Sequence, residues 1–580
     1  MTPPAPTAGA LGALVAVVVG ALLFAVIARP RTATTLDFYL AGRRVGTLTN
    51  AFAICGDYLS AASFLGVAGA VYASGLDGVW YATGFAAGFV PVLLFIAAPL
   101  RRFGEFSIPD FLGRRFSSER VRLVAVAVVE LVILSYLVPQ AVGSGITWEL
   151  LVGRGVAGLS PYATGIVVST VAIAAVVALG GMRGTTWTQA VQFLVLLSAL
   201  LWLAAVVVAG GFSYPDAVAE AGAQPLRNPV ETDQGWVLVS PRNELDPDAV
   251  SRFDRPGARY GPWGQFTLVI TLILGTAGLP HVMNRYFTSP SGRAARTTTV
   301  WVLVFAGAFY ALAVLCGTAA RTVVPRAAGR PWLDALTVDG VLVVPEHALL
   351  VLGRLYGGPA GLGYVAVGAL VAVMSTIAGL LLAAAASWGH DVYERHVNRS
   401  ASQRQAVRAG RIAVIAVATL SALVALATPP HAHATRFPSL VAQMVTWAFA
   451  LAGSSLTPVS LLAIWWRRTT AAGAVAGMVA GAAAALGLIA AGLWSGDVTD
   501  PVNGLLLTPT LLAAPLGLAA CVVVSRRTTP PADVDGAWLR LHGTAADRRI
   551  ERLARLTVAG VGARPRRRRA PVRTPIGRAP

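Results

Sequence analysis

The 580-residue chain contains no lysine; all 46 basic side chains are arginine, which reads as coding bias. Charged residues of either sign make up only 13% of it, while 56% is hydrophobic, too apolar for a soluble globule. Cysteine is scarce. Cys55, Cys316 and Cys521 are widely spaced inside apolar runs, which excludes a disulfide framework and a cysteine metal cluster. No GxxxxGK[ST] phosphate loop occurs, which argues against an ATP-driven pump, and no constellation supports an enzyme. The net charge of +19 does not imply nucleic acid, because the arginines sit in short loops and in the tail, not on one basic domain.

What the chain has is apolar runs of membrane-spanning length, with a mean hydropathy of +0.66. The first, Ala8 to Ala28, lacks the basic n-region of a signal peptide; small residues near Ala28 leave cleavage open, and it is read as a span. Thr47 to Gly75 follows, then Gly78 to Leu100, Leu123 to Leu151, Ala157 to Gly180, Trp187 to Gly210 and Gln265 to Tyr286. Thr298 to Val323, Gly361 to Trp388, Ile412 to Ala427, Leu440 to Trp466, Ala471 to Trp494 and Leu505 to Ser525 complete about thirteen transmembrane helices. With the N-terminus outside, the arginine clusters all fall in the cytoplasm, Arg285, Arg293 and Arg296 among them, and the C-terminus is cytoplasmic. The expectation is an all-α, multi-pass protein of the cell membrane.

The chain is organised around Thr47 to Gly75, whose middle holds Gly56, Asp57, Tyr58, Ser60 and Ser63 where an anchor would carry only apolar residues. A carboxylate near the bilayer centre costs about 2.5–3.5 kcal/mol on insertion scales, so Asp57 faces a cavity or a partner. Gly56 is read as the point where the backbone leaves the helix, freeing carbonyls and amides for a hard cation and a polar solute. A second interruption is expected in LILGTAGLPHVMNRYF, where Gly275, Gly278 and Pro280 cluster and Pro280 removes a backbone donor. With the first run set aside, the breaks fall in the first and sixth core helices, the spacing of two inverted five-helix repeats.

Six ordered motifs carry a resemblance. DFYLAGRRVG (37–46), GDYLSAASFLG (56–66), SIPDFLGRRF (107–116), GGMRGTTWTQAVQ (180–192), GLPHVMNRYF (278–287) and HDVY (390–393) are similar to the sodium:solute symporters. The second and fifth resemble the branch that carries acetate and short-chain monocarboxylates. The resemblance implies a Na+ cage of carbonyls at Gly56 and Leu59 and, on the eighth core helix, Ala372, Ser375 and Thr376, a donor set suited to a small hard cation. Ser375 and Thr376 also have the plainer reading of hydroxyls bonded back to their own helix. Gln189 stands where sugar-carrying members have an acidic residue. Asp57 then either supplies charge for coupling and gating or is a structural partner of a neighbouring helix.

A carboxylate solute is steadied by free amides at a half-helix N-terminus and by hydroxyls, with no arginine required at the midplane. Tyr58, Ser60, Ser63, Thr276, Gly278 and Leu279 are the nearest candidates, with Gln140 on the third core helix, and Ala61, Ala62 and Ala277 leave little room for a sugar. Glu130 and His281 are polar groups for packing, pairing or proton relay. His431 and His433 lack further ligands for a metal, Asn398 begins an NRS sequon in a cytoplasmic loop, and Ala537 to Leu556 is helical in pattern ahead of an Arg/Pro-rich end suited to anionic lipid.

The organisation is therefore an extra N-terminal helix and loop (1–36), a ten-helix transport core (37–409, with an external loop at 211–262, and 410–466), two further helices (467–525) and a basic tail (526–580). The function expected is Na+-coupled import of a small organic anion of the acetate, propionate or pyruvate class by alternating access, with membrane lipids as surroundings and no cofactor beyond the coupling ion. The alternatives are a proton-coupled carrier, a symporter of proline, sugar or another solute, and the sensing half of a signalling protein.

Overall fold

The computed structural model describes residues 34–544 except 233–234, 247, 429–438 and 496–500, together with 12, 19, 20 and 23. The run Ala8 to Ala28 lies almost wholly outside the described residues, as do His431, His433 and the tail from 545 onward. Hydrophobic segments fold here as helices because lipid offers no partner for backbone N–H and C=O groups. Among the described residues nine helices are long and apolar enough to cross a membrane, or eleven with two bent pairs each taken as one span. One of the nine, Pro161–Ala209, is broken at Gly181 (φ 54°, ψ −161°), between two of the expected spans.

The bent pairs are where Asp57 and Pro280 placed them. Thr47–Tyr58 turns 69° into Ala62–Ser74, and Trp263–Gly278 turns 41° into Pro280–Phe287. Counted from Thr47, they are the first and sixth of the core spans. The first break is displaced from its expected position: Gly56 is helical, and the chain leaves the helix at Leu59 (φ −77°, ψ 80°). What Gly56 supplies is space, since a Cβ there would overlap the carbonyl of Gln189. A short helix from Ala348 precedes the eighth core span and folds back on it at Gly358, just before Pro359, so that Gly353 meets Gly361.

Two small antiparallel hairpins interrupt the all-helical pattern. β1 (Asn228–Thr232) pairs with β2 (Gly235–Val239), and β3 (Thr337–Val338) with β4 (Val341–Leu342). The second turns through Asp339 and Gly340, both at positive φ, the backbone that an Asp-Gly hairpin turn requires. The loop 211–262 is folded against the bundle. Its Leu226, Phe253 and Ala258 pack with Val71, and the buried Asp77 carboxylate accepts from the N–H groups of Gly257 (3.0 Å), Arg259 (2.8 Å) and Tyr260 (3.0 Å) and from Gln265 Nε2 (3.1 Å). On the opposite, arginine-rich face the tail helix Val534–His542 is docked, with Arg102 donating to the Leu541 carbonyl (3.0 Å) and His542 Nε2 2.7 Å from that of Ile464.

Replacing Asp77 leaves three loop amides without their acceptor, at about 1–3 kcal/mol for each group left buried and unpaired. Asp77→Ala is expected to expose the 211–262 loop, read as faster limited proteolysis within it, while the spans keep their helical circular-dichroism signal.

Candidate solute and ion site

The first break presents one free amide and a set of hydroxyls. Ala61 N–H, released where the helix stops, donates to Gln140 Oε1 (3.1 Å), and a wide π turn at Ala62–Gly66 restarts the helix. Gln140 Nε2 is buried and has no partner. The Tyr58 hydroxyl lies 2.8 Å from both the Phe85 carbonyl and Thr276 Oγ1, so the first break is tied to the residue three positions before the second. Ser63 Oγ and Tyr310 OH are 2.8 Å apart, and Tyr136 OH donates to Ser60 Oγ at 3.4 Å.

Aromatic rings enclose these groups. Tyr58 meets Phe89 edge-on at 4.6 Å, Phe85 stacks on Tyr310 at 5.7 Å, and Phe449 touches Phe85 and Tyr136. Tyr58, Ser60, Ser63, Gln140 and Thr276 are thus brought together. Gly278 and Leu279 form the second break itself; Leu279 is extended (φ −65°, ψ 117°), and Gly278 admits the Ala452 carbonyl and Thr457 hydroxyl of the tenth core span. His281 is buried edge-on to Tyr136 (5.4 Å) with neither ring nitrogen partnered, and the buried Glu130 carboxylate faces Trp388.

The cation candidates converge beside the same break. Ser375 Oγ donates to the Gly56 carbonyl and lies 3.0 Å from that of Ala372. Thr376 Oγ1 is buried and unpartnered, and Leu59 is the residue at which the helix ends. Three oxygens from two helices therefore meet at one point, with a fourth on the adjacent residue.

The residue that the sequence reading misplaced is Arg285. Counted there among the loop arginines, it is 1% exposed and paired with Asp57 (Nε–Oδ2, 3.2 Å). Its Nη1 donates to Thr186 Oγ1 (2.8 Å) and its Nη2 to Gln189 Oε1, while Gln189 Nε2 donates to the Ser375 carbonyl (2.6 Å). A closed ring results: Gly56 and Asp57, Arg285, Gln189, Ser375, and back to Gly56. The Asp57 carboxylate also fills the space that a side chain at residue 379 would take, so Gly379 on the eighth core span is its seat. Asp57 has a structural partner, and that partner reaches the cation candidates. A signal was available: Arg285 and Asp57 are opposite charges inside two apolar spans, and such charges pair.

The model of the sodium:solute symporter family matches residues 38–481. The chain belongs to that family. The symporter is 30% identical over 508 residues to the uncharacterized symporter YwcA of Bacillus subtilis (strain 168), covering 86% of this chain and 90% of the relative. It is 31% identical over 472 residues to a monocarboxylic acid transporter of Corynebacterium glutamicum, covering 79% of each. Among solved structures it is similar to a substrate-bound, outward-open Na+-coupled sialic acid symporter (TM-score 0.66, 16% identity, 90% of this chain and 99% of that one). A similarity to the nucleobase-cation symporter Mhp1 in a closed conformation has a TM-score of 0.50 at 15% identity, over 89% and 98% of the two chains. These similarities establish the fold, a transporter core with interrupted first and sixth helices.

Removing one member of a buried pair strands the other charge, at about 3–5 kcal/mol. Asp57→Asn and Arg285→Gln are each expected to lower the thermal unfolding midpoint of the purified symporter. The double variant is expected to recover part of the loss, the sign of a direct coupling; additive losses would show that the two act separately.

Proposed function

We propose that the symporter imports a small monocarboxylate, of the acetate, propionate or pyruvate class, together with Na+ by alternating access. The observation that carries the reading is the juxtaposition at the first break. On one side lie the Gly56 and Ala372 carbonyls with the Ser375 and Thr376 hydroxyls, and on the other the unpartnered Gln140 amide among the Tyr58, Ser60, Ser63 and Thr276 hydroxyls. Carbonyls and hydroxyls suit a small hard cation, and amide and hydroxyl donors suit a carboxylate. Gly278 and Leu279 complete the wall on the second break.

In this reading Asp57 stays paired with Arg285, and the ring through Gln189 transmits occupancy of the cation site to the sixth core helix. The small Ala61, Ala62 and Ala277 beside the breaks leave little room for a sugar and favour a short anion. The C. glutamicum relative, a monocarboxylic acid transporter by name, supports the same solute class. The symporter is placed in the cell membrane with its N-terminus outside, its arginine-rich face and C-terminus in the cytoplasm, and with no cofactor beyond the coupling ion.

Proton coupling is the second reading, favoured by the buried carboxylate of Glu130 and the unpartnered ring of His281. Uptake of labelled acetate into proteoliposomes, with Na+ and proton gradients imposed separately, decides between them. A Na+ gradient alone is expected to drive accumulation. Ser375→Ala and Thr376→Ala are each expected to raise the half-saturating Na+ concentration about tenfold, which is about 1.4 kcal/mol. Accumulation driven only by the proton gradient favours the second reading, and unchanged Na+ dependence in both variants removes the cation assignment.

A further inference from the structure

Away from the transport site, on the arginine-rich face, three buried ligand-type side chains converge from two segments that the proposed function does not use. Asp110 lies on the short helix Ile108–Arg115, and His390 and Asp391 lie on Ser387–Val397, the π-helical end of the eighth core span. One ligand atom from each falls within 4.8 Å of the others, and none of the three residues is more than 4% exposed. His390 Nε2 is 3.7 Å from Asp110 Oδ2. In a tetrahedral zinc site with bonds of about 2.1 Å, ligand atoms stand about 3.4 Å apart; the His390–Asp110 pair is already near that separation, and the other pairs lie within 4.8 Å.

The surrounding bonds are those of a prepared metal site. Ring atom Nδ1 of His390 is held by Glu394 Oε2 (2.8 Å), which orients the ring and leaves Nε2 toward Asp110, as a carboxylate behind a metal-bound histidine does. Asp391 Oδ2 accepts from Ser107 Oγ (2.6 Å), and Phe106 packs on the His390 ring at 4.6 Å. What is left over points to a cation. Asp391 Oδ1 is buried with no hydrogen-bond partner, His390 Nε2 faces only the Asp110 carboxylate, and among the described residues no arginine is paired with Asp391. The two arginines that reach Asp110 each have a second carboxylate, Glu105 for Arg114 (3.1 Å) and Glu119 for Arg122 (3.3 Å).

We propose that Asp110, His390 and Asp391 form a binding site for a divalent transition-metal ion of the Zn2+ class. Two carboxylates and an imidazole suit Zn2+, and water supplies the remaining position. The bound ion clamps the loop helix Ile108–Arg115 to the end of the helix that carries Ser375 and Thr376.

The test is titration of the full-length, tag-free symporter in nanodiscs with ZnCl2, after treatment with and removal of a chelator. Bound metal is counted by mass spectrometry and the unfolding midpoint is followed. One equivalent is expected to bind and to raise the midpoint, reversibly on chelation. His390→Gln is expected to weaken binding at least 100-fold, Glu394→Gln 10- to 100-fold, and the double variant His431→Ala with His433→Ala not at all. Absence of stoichiometric zinc on the wild-type chain, or binding that survives His390→Gln and disappears in the His431/His433 variant, overturns the proposal.

Discussion

A carboxylate and a guanidinium sealed inside an apolar helical bundle have to find each other, and much of the core is arranged so that Asp57 and Arg285 do. Taking either ion out of water alone costs several kcal/mol, so neither helix can sit where it does without the other. Small residues make the meeting possible. Gly379 vacates the volume that Asp57 occupies, and Gly56 lets its helix approach the Gln189 carbonyl. Gln189 then spends its two ends on Arg285 and on the Ser375 backbone, so an electrostatic necessity becomes a mechanical link to the cation candidates.

The two breaks serve that arrangement differently. At the first, the chain opens at Leu59 and its freed amide is taken by a side chain, Gln140, so the gap is held by groups able to exchange partners. At the second, Pro280 ends the ladder by chemistry and Gly278 is closed against the tenth core span. One gap is polar and adjustable, and the other is fixed. The Tyr58 and Thr276 contact joins them, so movement at either is felt at the other.

Much of this was legible in the sequence, because membrane burial turns composition into geometry. Asp57 amid apolar residues and Pro280 behind two glycines announced the breaks, and the six motifs announced the family before the matches to residues 38–481. Gly56 was read as the break because glycine permits departure from a helix, but it equally permits close packing, and only the neighbour at Gln189 tells which. Arg285 was counted as a loop charge because orientation rules tally arginines near span ends without seeing where each side chain turns. The Asp339-Gly340 hairpin carries the usual Asp-Gly turn signal, but it lies between apolar runs, where span length says nothing of strands. The ring itself joins residues 96 and 228 positions apart, a separation no local pattern encodes.

The Asp77 carboxylate does more than hold the loop. Its carboxylate grips the first turn of the sixth core span through Gln265 while belonging to the first turn of the second, so the outer ends of those two spans are welded into a strut. A strut rocks as one piece and does not flex at its joint. The folded loop, held to the same carboxylate through Gly257, Arg259 and Tyr260, moves with that strut.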